Sequence, residues 1–92
     1  MKLLIKGTLV DRGRAGSLDN CLEDLPSLVG RRISLGNPDY ALILDRVEER
    51  LVAFRFIRFD DANILTLRIG QSYEFQTEGN AFEYRIRFAL EE

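Results

Sequence analysis

Apolar and polar residues alternate with a period of two along most of the chain, as expected for strands with one buried face. The clearest case is C-terminal, where Phe82, Tyr84, Ile86, Phe88 and Leu90 alternate with Glu83, Arg85, Arg87 and Ala89. Ahead of it, Tyr73, Phe75 and Thr77 alternate with Ser72, Glu74 and Gln76. Gly79-Asn80 between the two runs suits a two-residue type II′ turn, with glycine at the first central position. That turn predicts Thr77 opposite Phe82, Phe75 opposite Tyr84, Tyr73 opposite Ile86 and, on the other face, Glu74 against Arg85.

Tyr40–Leu44 and Leu51–Phe59 read as two further strands around a polar turn at 45–50. The second is rich in β-formers and apolar enough to be covered on both faces or bent by a bulge. Arg31–Leu35, Ile64–Ile69 and Leu3–Val10 complete the expected strands, with polar turns or loops at 11–17, 36–39 and 60–63. One segment departs from this pattern. Leu18, Leu22, Leu25 and Val29 follow helical spacing, Asn20 and Glu23 stand at capping-box distance, and Pro26 limits the turn, which predicts a short helix near residues 19–25. The whole reads as a single domain, 1–92, of all-β class. It is a mostly antiparallel small barrel or sandwich of about six to seven strands with one short helix.

Composition narrows the chemistry. Hydrophobic residues make up 46% and charged residues 30%, as in ordinary globular proteins. The chain has no histidine, so it offers no imidazole base, ligand or nucleophile partner. Its single cysteine, Cys21, excludes an internal disulfide and a thiolate metal cage, and is expected to act as a small apolar residue beside Leu22. Gly13-Arg14-Ala15-Gly16-Ser17 lacks both phosphate-cradle patterns, and Asp60-Asp61-Ala62-Asn63 lacks EF-hand spacing. The carboxylate pairs Glu48-Glu49 and Asp60-Asp61 are adjacent residues, which point to opposite faces if extended. No catalytic residue, cofactor or metal is therefore expected. The apolar start at Met1–Ile5 is interrupted by Lys6, and no run is long enough to span a membrane, so the expected compartment is the cytoplasm.

Two functional classes remain. Small, acidic β-domains without catalytic groups resemble, in general profile, toxin-immunity proteins, phage-encoded inhibitors and assembly adaptors. On that reading the chain is a non-enzymatic, stoichiometric protein-binding module for another, basic protein, and its candidate contact residues are Asp19, Glu23, Asp24, Asp60 and Asp61. The alternative is a small-barrel single-stranded RNA-binding protein. Phe54-Arg55-Phe56-Ile57-Arg58-Phe59 interleaves aromatics with arginines, making Arg55 and Arg58 its candidates. Residues Phe59–Leu65 also resemble the first motif of Sm-like RNA-binding proteins, in which Phe-Asp precedes an Asn and an apolar run. Here the Phe-to-Asn spacing is one residue short, and no Ile-Arg-Gly second motif follows. The net charge of −2 gives no global attraction to nucleic acid. Either class is compatible with homo-oligomerisation through exposed strand edges.

Overall fold

A computed structural model describes residues 1–11, 14–36, 39–76 and 82–92 of the chain, without the side chains of Asp11, Phe82 and Glu83. It contains β1 (Lys2–Asp11), β2 (Arg14–Leu22), α1 (Leu25–Leu28), β3 (Arg32–Ser34), β4 (Tyr40–Glu48), β5 (Leu51–Arg58), β6 (Asp61–Arg68), β7 (Ser72–Gln76) and β8 (Phe82–Glu91). These form two antiparallel four-stranded sheets, ordered β2-β1-β8-β7 and β3-β4-β5-β6. The architecture is a sandwich, and neither sheet closes into a barrel.

The chain starts as the β1–β2 hairpin and crosses to the second sheet through α1. It then meanders through β3 to β6 and returns, so that β8 inserts between β1 and β7. The return is pinned by paired bonds: Gly70 N–H donates to Leu90 O (2.8 Å) and Leu90 N–H donates to Gln71 O (3.0 Å). Tyr84, Ile86, Phe88 and Leu90 are buried while Arg85 and Arg87 are exposed, as the alternation requires. The sheets meet over aromatic rings. Phe56 lies 4.9 Å from Phe75 and 5.3 Å from Phe88, Phe54 lies 5.0 Å from Phe88, and Tyr40 lies 5.7 Å from Tyr84. Tilted and edge contacts of this kind add to the burial of the rings themselves. In β4 a bulge between Leu44 and Arg46 keeps both Leu44 and Val47 turned inward, with Asp45 and Arg46 outside between them.

Several local expectations are corrected. Residues 19–22 are not helical: they end β2, a strand that also absorbs most of the loop expected at 11–17 and raises the strand count to eight. The helix is the four-residue α1, and it starts at Leu25, where the predicted one was to stop. Leu18 and Leu22 are four residues apart, a spacing that serves a helix and a strand equally, and pairing with β1 decides for the strand. Cys21 is exposed on β2 rather than packed as an apolar residue, because its neighbours Asn20 and Leu22 take the inward side. The β7–β8 register is shifted by two: Phe75 faces Ile86 and Tyr73 faces Phe88, with Glu74 opposite Arg87. Glu74 still approaches Arg85, diagonally, at 3.9 Å. The Gly79-Asn80 turn, the Thr77–Phe82 pair and the Asn37-Pro38 turn lie outside the described residues.

Gly7 occupies the middle of β1 opposite Ile86. A Cβ there would overlap the carbonyl oxygen of Arg85 and stand 2.8 Å from the Ile86 Cα, so only glycine lets these two backbones close. Two outcomes follow for urea denaturation. Ile86→Ala, at a fully buried site, should lower the unfolding free energy by about 2–5 kcal/mol. Gly7→Ala should be at least as damaging although it adds a single methyl, since the clash is with backbone. A harmless Gly7→Ala would contradict this strand pairing.

Candidate functional site

Among the described residues two that are not glycine have positive φ, Asp24 and Phe59, and the bulkier one sits in the β5–β6 turn. Arg58 pairs with Asp61, leaving a two-residue loop, Phe59-Asp60. Phe59 adopts φ 53°, at the first central position, where hairpin loops favour glycine. A bulky residue in this left-handed region is strained by about 1–3 kcal/mol. Contacts with the neighbouring β4 end hold it there. Its N–H donates to Asp39 O (2.8 Å), and its ring meets Tyr40 edge-on at 5.5 Å. Even so, Phe59 remains 49% exposed, with the exposed Asp60 and Asp61 following it. The turn thus presents an aromatic ring and two carboxylates on a hairpin anchored in the core.

Arg58 lies just behind this tip. Its guanidinium stacks 5.2 Å from the Tyr84 ring and 5.9 Å from that of Phe56. Its Nε is buried without a hydrogen-bond partner, and so is the Nδ2 of Asn63 on the neighbouring strand. Both residues continue the inward alternation of their strands, Arg58 after Phe56 and Asn63 before Leu65. Arg55 has the opposite parity. It lies on the outer face, where its Nε donates to both Asp45 carboxylate oxygens (3.0 and 3.1 Å) and its Nη2 stands 3.0 Å from the same group.

The five acidic candidates are not brought together. Asp19 is on the outer face of the first sheet, directly across from Lys6, whose other neighbour is Arg87; its charge belongs to a mixed-sign row. Glu23 and Asp24 lie between β2 and α1, and Asp24 shares a shallow cavity with Leu25, Val47, Glu48 and Glu49. That is the Glu48 end of β4, whereas the Phe59 turn is bonded to Asp39 at its other end. Nine residues of strand separate the two groups by roughly 27 Å at about 3.3 Å per residue. Only Asp60 and Asp61 share a surface with the exposed aromatic. Arg55 and Arg58 are likewise divided between opposite faces of β5, and Phe54 and Phe56 on either side of Arg55 are fully buried. Phe59 is not among the candidate contact residues read from the sequence, although an aromatic directly ahead of Asp60-Asp61 is a visible signal.

Among the described residues, no three His, Cys, Asp or Glu side chains gather closely enough to hold a metal ion, and no helix is long and apolar enough to cross a membrane. No protein-family model, curated protein or solved structure matches this chain.

The Arg58 environment sets two opposing effects against each other. Arg58→Met keeps an apolar stem over the rings but loses a cation–π contact of about 0.5–2 kcal/mol, and it removes an unpartnered buried donor that costs about 1–3 kcal/mol. The expected outcome in thermal denaturation is a melting temperature equal to or above that of the parent. Arg58→Glu, which places a carboxylate against the same ring faces, should lower it.

Proposed function

We propose that this chain is a non-enzymatic, stoichiometric protein-binding module, and that the Phe59-Asp60-Asp61 turn is the centre of its contact surface. The observation that supports this reading is the strained yet half-exposed Phe59. An aromatic kept in an unfavourable conformation and left in water gains little for the fold. A partner that buries it gains a rigid anchor, because the ring is already oriented. Two adjacent carboxylates favour a partner that is basic at the rim of that contact and speed its approach. An inhibitor, an immunity protein and an assembly adaptor all work through surfaces of this kind. Glu23 and Asp24, at the far end of the sandwich, are no part of this surface.

Phe59→Gly is the informative variant, since glycine accepts the backbone conformation while deleting the ring. The chain and its variants would be immobilised and challenged with an extract of the source organism. The parent should retain one protein in fixed stoichiometry, and Phe59→Gly should reduce that retention at least about tenfold, as loss of an aromatic anchor does. Its melting temperature should stay within a few degrees of the parent's. Glu23→Lys should leave retention unchanged. If Phe59→Gly were silent while Arg55→Ala and Arg58→Met abolished retention of single-stranded RNA, the nucleic-acid reading would replace this one.

A further inference from the structure

We infer that the chain self-associates by antiparallel pairing of β6 with β6 of a second copy, which would join the two β3-β4-β5-β6 sheets into one. The argument starts from the backbone. Ile69 N–H donates to Arg50 O (3.1 Å), which identifies that pair as hydrogen-bonded in the β5–β6 ladder. In an antiparallel ladder such pairs alternate, so Leu67, Leu65, Asn63 and Asp61 also turn their backbone groups toward β5. Ala62, Ile64, Thr66 and Arg68 turn theirs away. The outward N–H of Arg68 is already satisfied, by the Oε1 of Gln71 (2.9 Å), which marks where the free edge stops. Among the described residues no strand pairs with the N–H and C=O groups of Ala62, Ile64 and Thr66, since β6 is the last strand of its sheet.

This edge carries charge only at its two ends, Asp61 and Arg68, and its middle has none of the usual protection. Exposed edge strands are commonly blunted by lysine, proline, bulges or very short length. β6 has eight residues, no lysine, no proline and a regular register. Its central outward residue, Ile64, is 77% exposed, the highest figure among the exposed large hydrophobic residues. The other edges differ. β3 has three residues, β7 carries Glu74 in the middle of its described span, and β2 carries Arg14 and Asp19 and is continued by the α1 crossover.

The charge pattern selects the occupant. β6 begins after Asp60 with Asp61 and ends with Arg68, so the strand is acidic at one end and basic at the other. An antiparallel second copy brings unlike ends together. With the two-fold axis at Ile64, Ala62 of each copy exchanges bonds with Thr66 of the other, and the two Ile64 residues exchange bonds with each other. The same register sets each Arg68 opposite Asp60 of the other copy. On the outer face the two Ile64 side chains meet, extending the Ile43-Arg55-Ile64 row already formed across β4, β5 and β6. A parallel arrangement would bring like charges together. Phe59 of each copy lies beyond the joined ladder, whereas Asp60 and Asp61 belong both to this pairing and to the contact surface proposed above, so Phe59→Gly tests that surface without touching the ladder.

The test is the molar mass in solution, by sedimentation equilibrium from low to high micromolar concentration. The parent should approach twice the 10.6 kDa of the chain. Ile64→Lys, at a solvent-facing position, and Thr66→Pro, whose lost N–H points away from β5, should each weaken association at least about tenfold with unchanged far-UV circular dichroism. Arg68→Asp and Asp60→Arg should each weaken it, and the double variant should restore it. A parent that stays monomeric throughout, or a dimer indifferent to both Ile64→Lys and Thr66→Pro, would overturn the inference. So would a double variant no better than the single ones.

Discussion

The pairing of β1 with β8 is the constraint on which the rest of the sandwich depends. It runs from Lys2–Glu91 to Asp11–Phe82 without a break, joining the two ends of the sequence. β1 carries β2 on its other side and β8 carries β7, so the order of that sheet follows from this one ladder. It also aligns Leu3, Ile5 and Leu9 with Tyr84, Ile86, Phe88 and Leu90 on the face that meets the second sheet. The ladder closes because Gly7 has no side chain at the point of closest approach. A long-range interaction therefore hinges on a methyl group that is absent.

The aromatic layer is the second element. Phe54 and Phe56 alternate inward along β5 and engage Phe75 and Phe88 of the facing sheet, and Tyr40 engages Tyr84. The same alternation that fills the core carries Arg58 inward at the end of β5, where its guanidinium lies against the Tyr84 and Phe56 rings. The chain then reverses in two residues, so Phe59 must take up a conformation suited to glycine. Strain at the tip is thus a consequence of how the core is filled and how short the turn is.

What the sequence makes legible is parity. Tyr84, Ile86 and Phe88 could be assigned to the core because a strand offers only two faces. Register is less visible: sliding β7 by two residues keeps every side chain on its face, and so Phe75 meets Ile86 instead of Tyr84 without any change in pattern. Leu18 and Leu22 illustrate a further ambiguity, as their spacing fits both periods and only the partner strand resolves it. Closeness along the chain groups the acidic residues Asp19, Glu23 and Asp24, and Asp60 with Asp61. Position in space depends on which end of β4 each turn adjoins, and no local pattern records that. The conformation of Phe59 was hidden for a related reason, since a turn two residues long becomes evident only once the Arg58–Asp61 pair is known.

The adjacency of Lys2 and Glu91 has a consequence of a different sort. In connectivity the chain is almost a ring, cut at one point along its most distant pairing. A short linker across that cut, with new termini opened at the Glu49-Arg50 turn between β4 and β5, would leave every ladder in place. The β1–β8 pair would then be a local hairpin, and the β4–β5 hairpin would become the distant one. Since folding rate falls as contacts become more distant in sequence, such a circular permutant would interchange which half of the sandwich assembles early and which must wait.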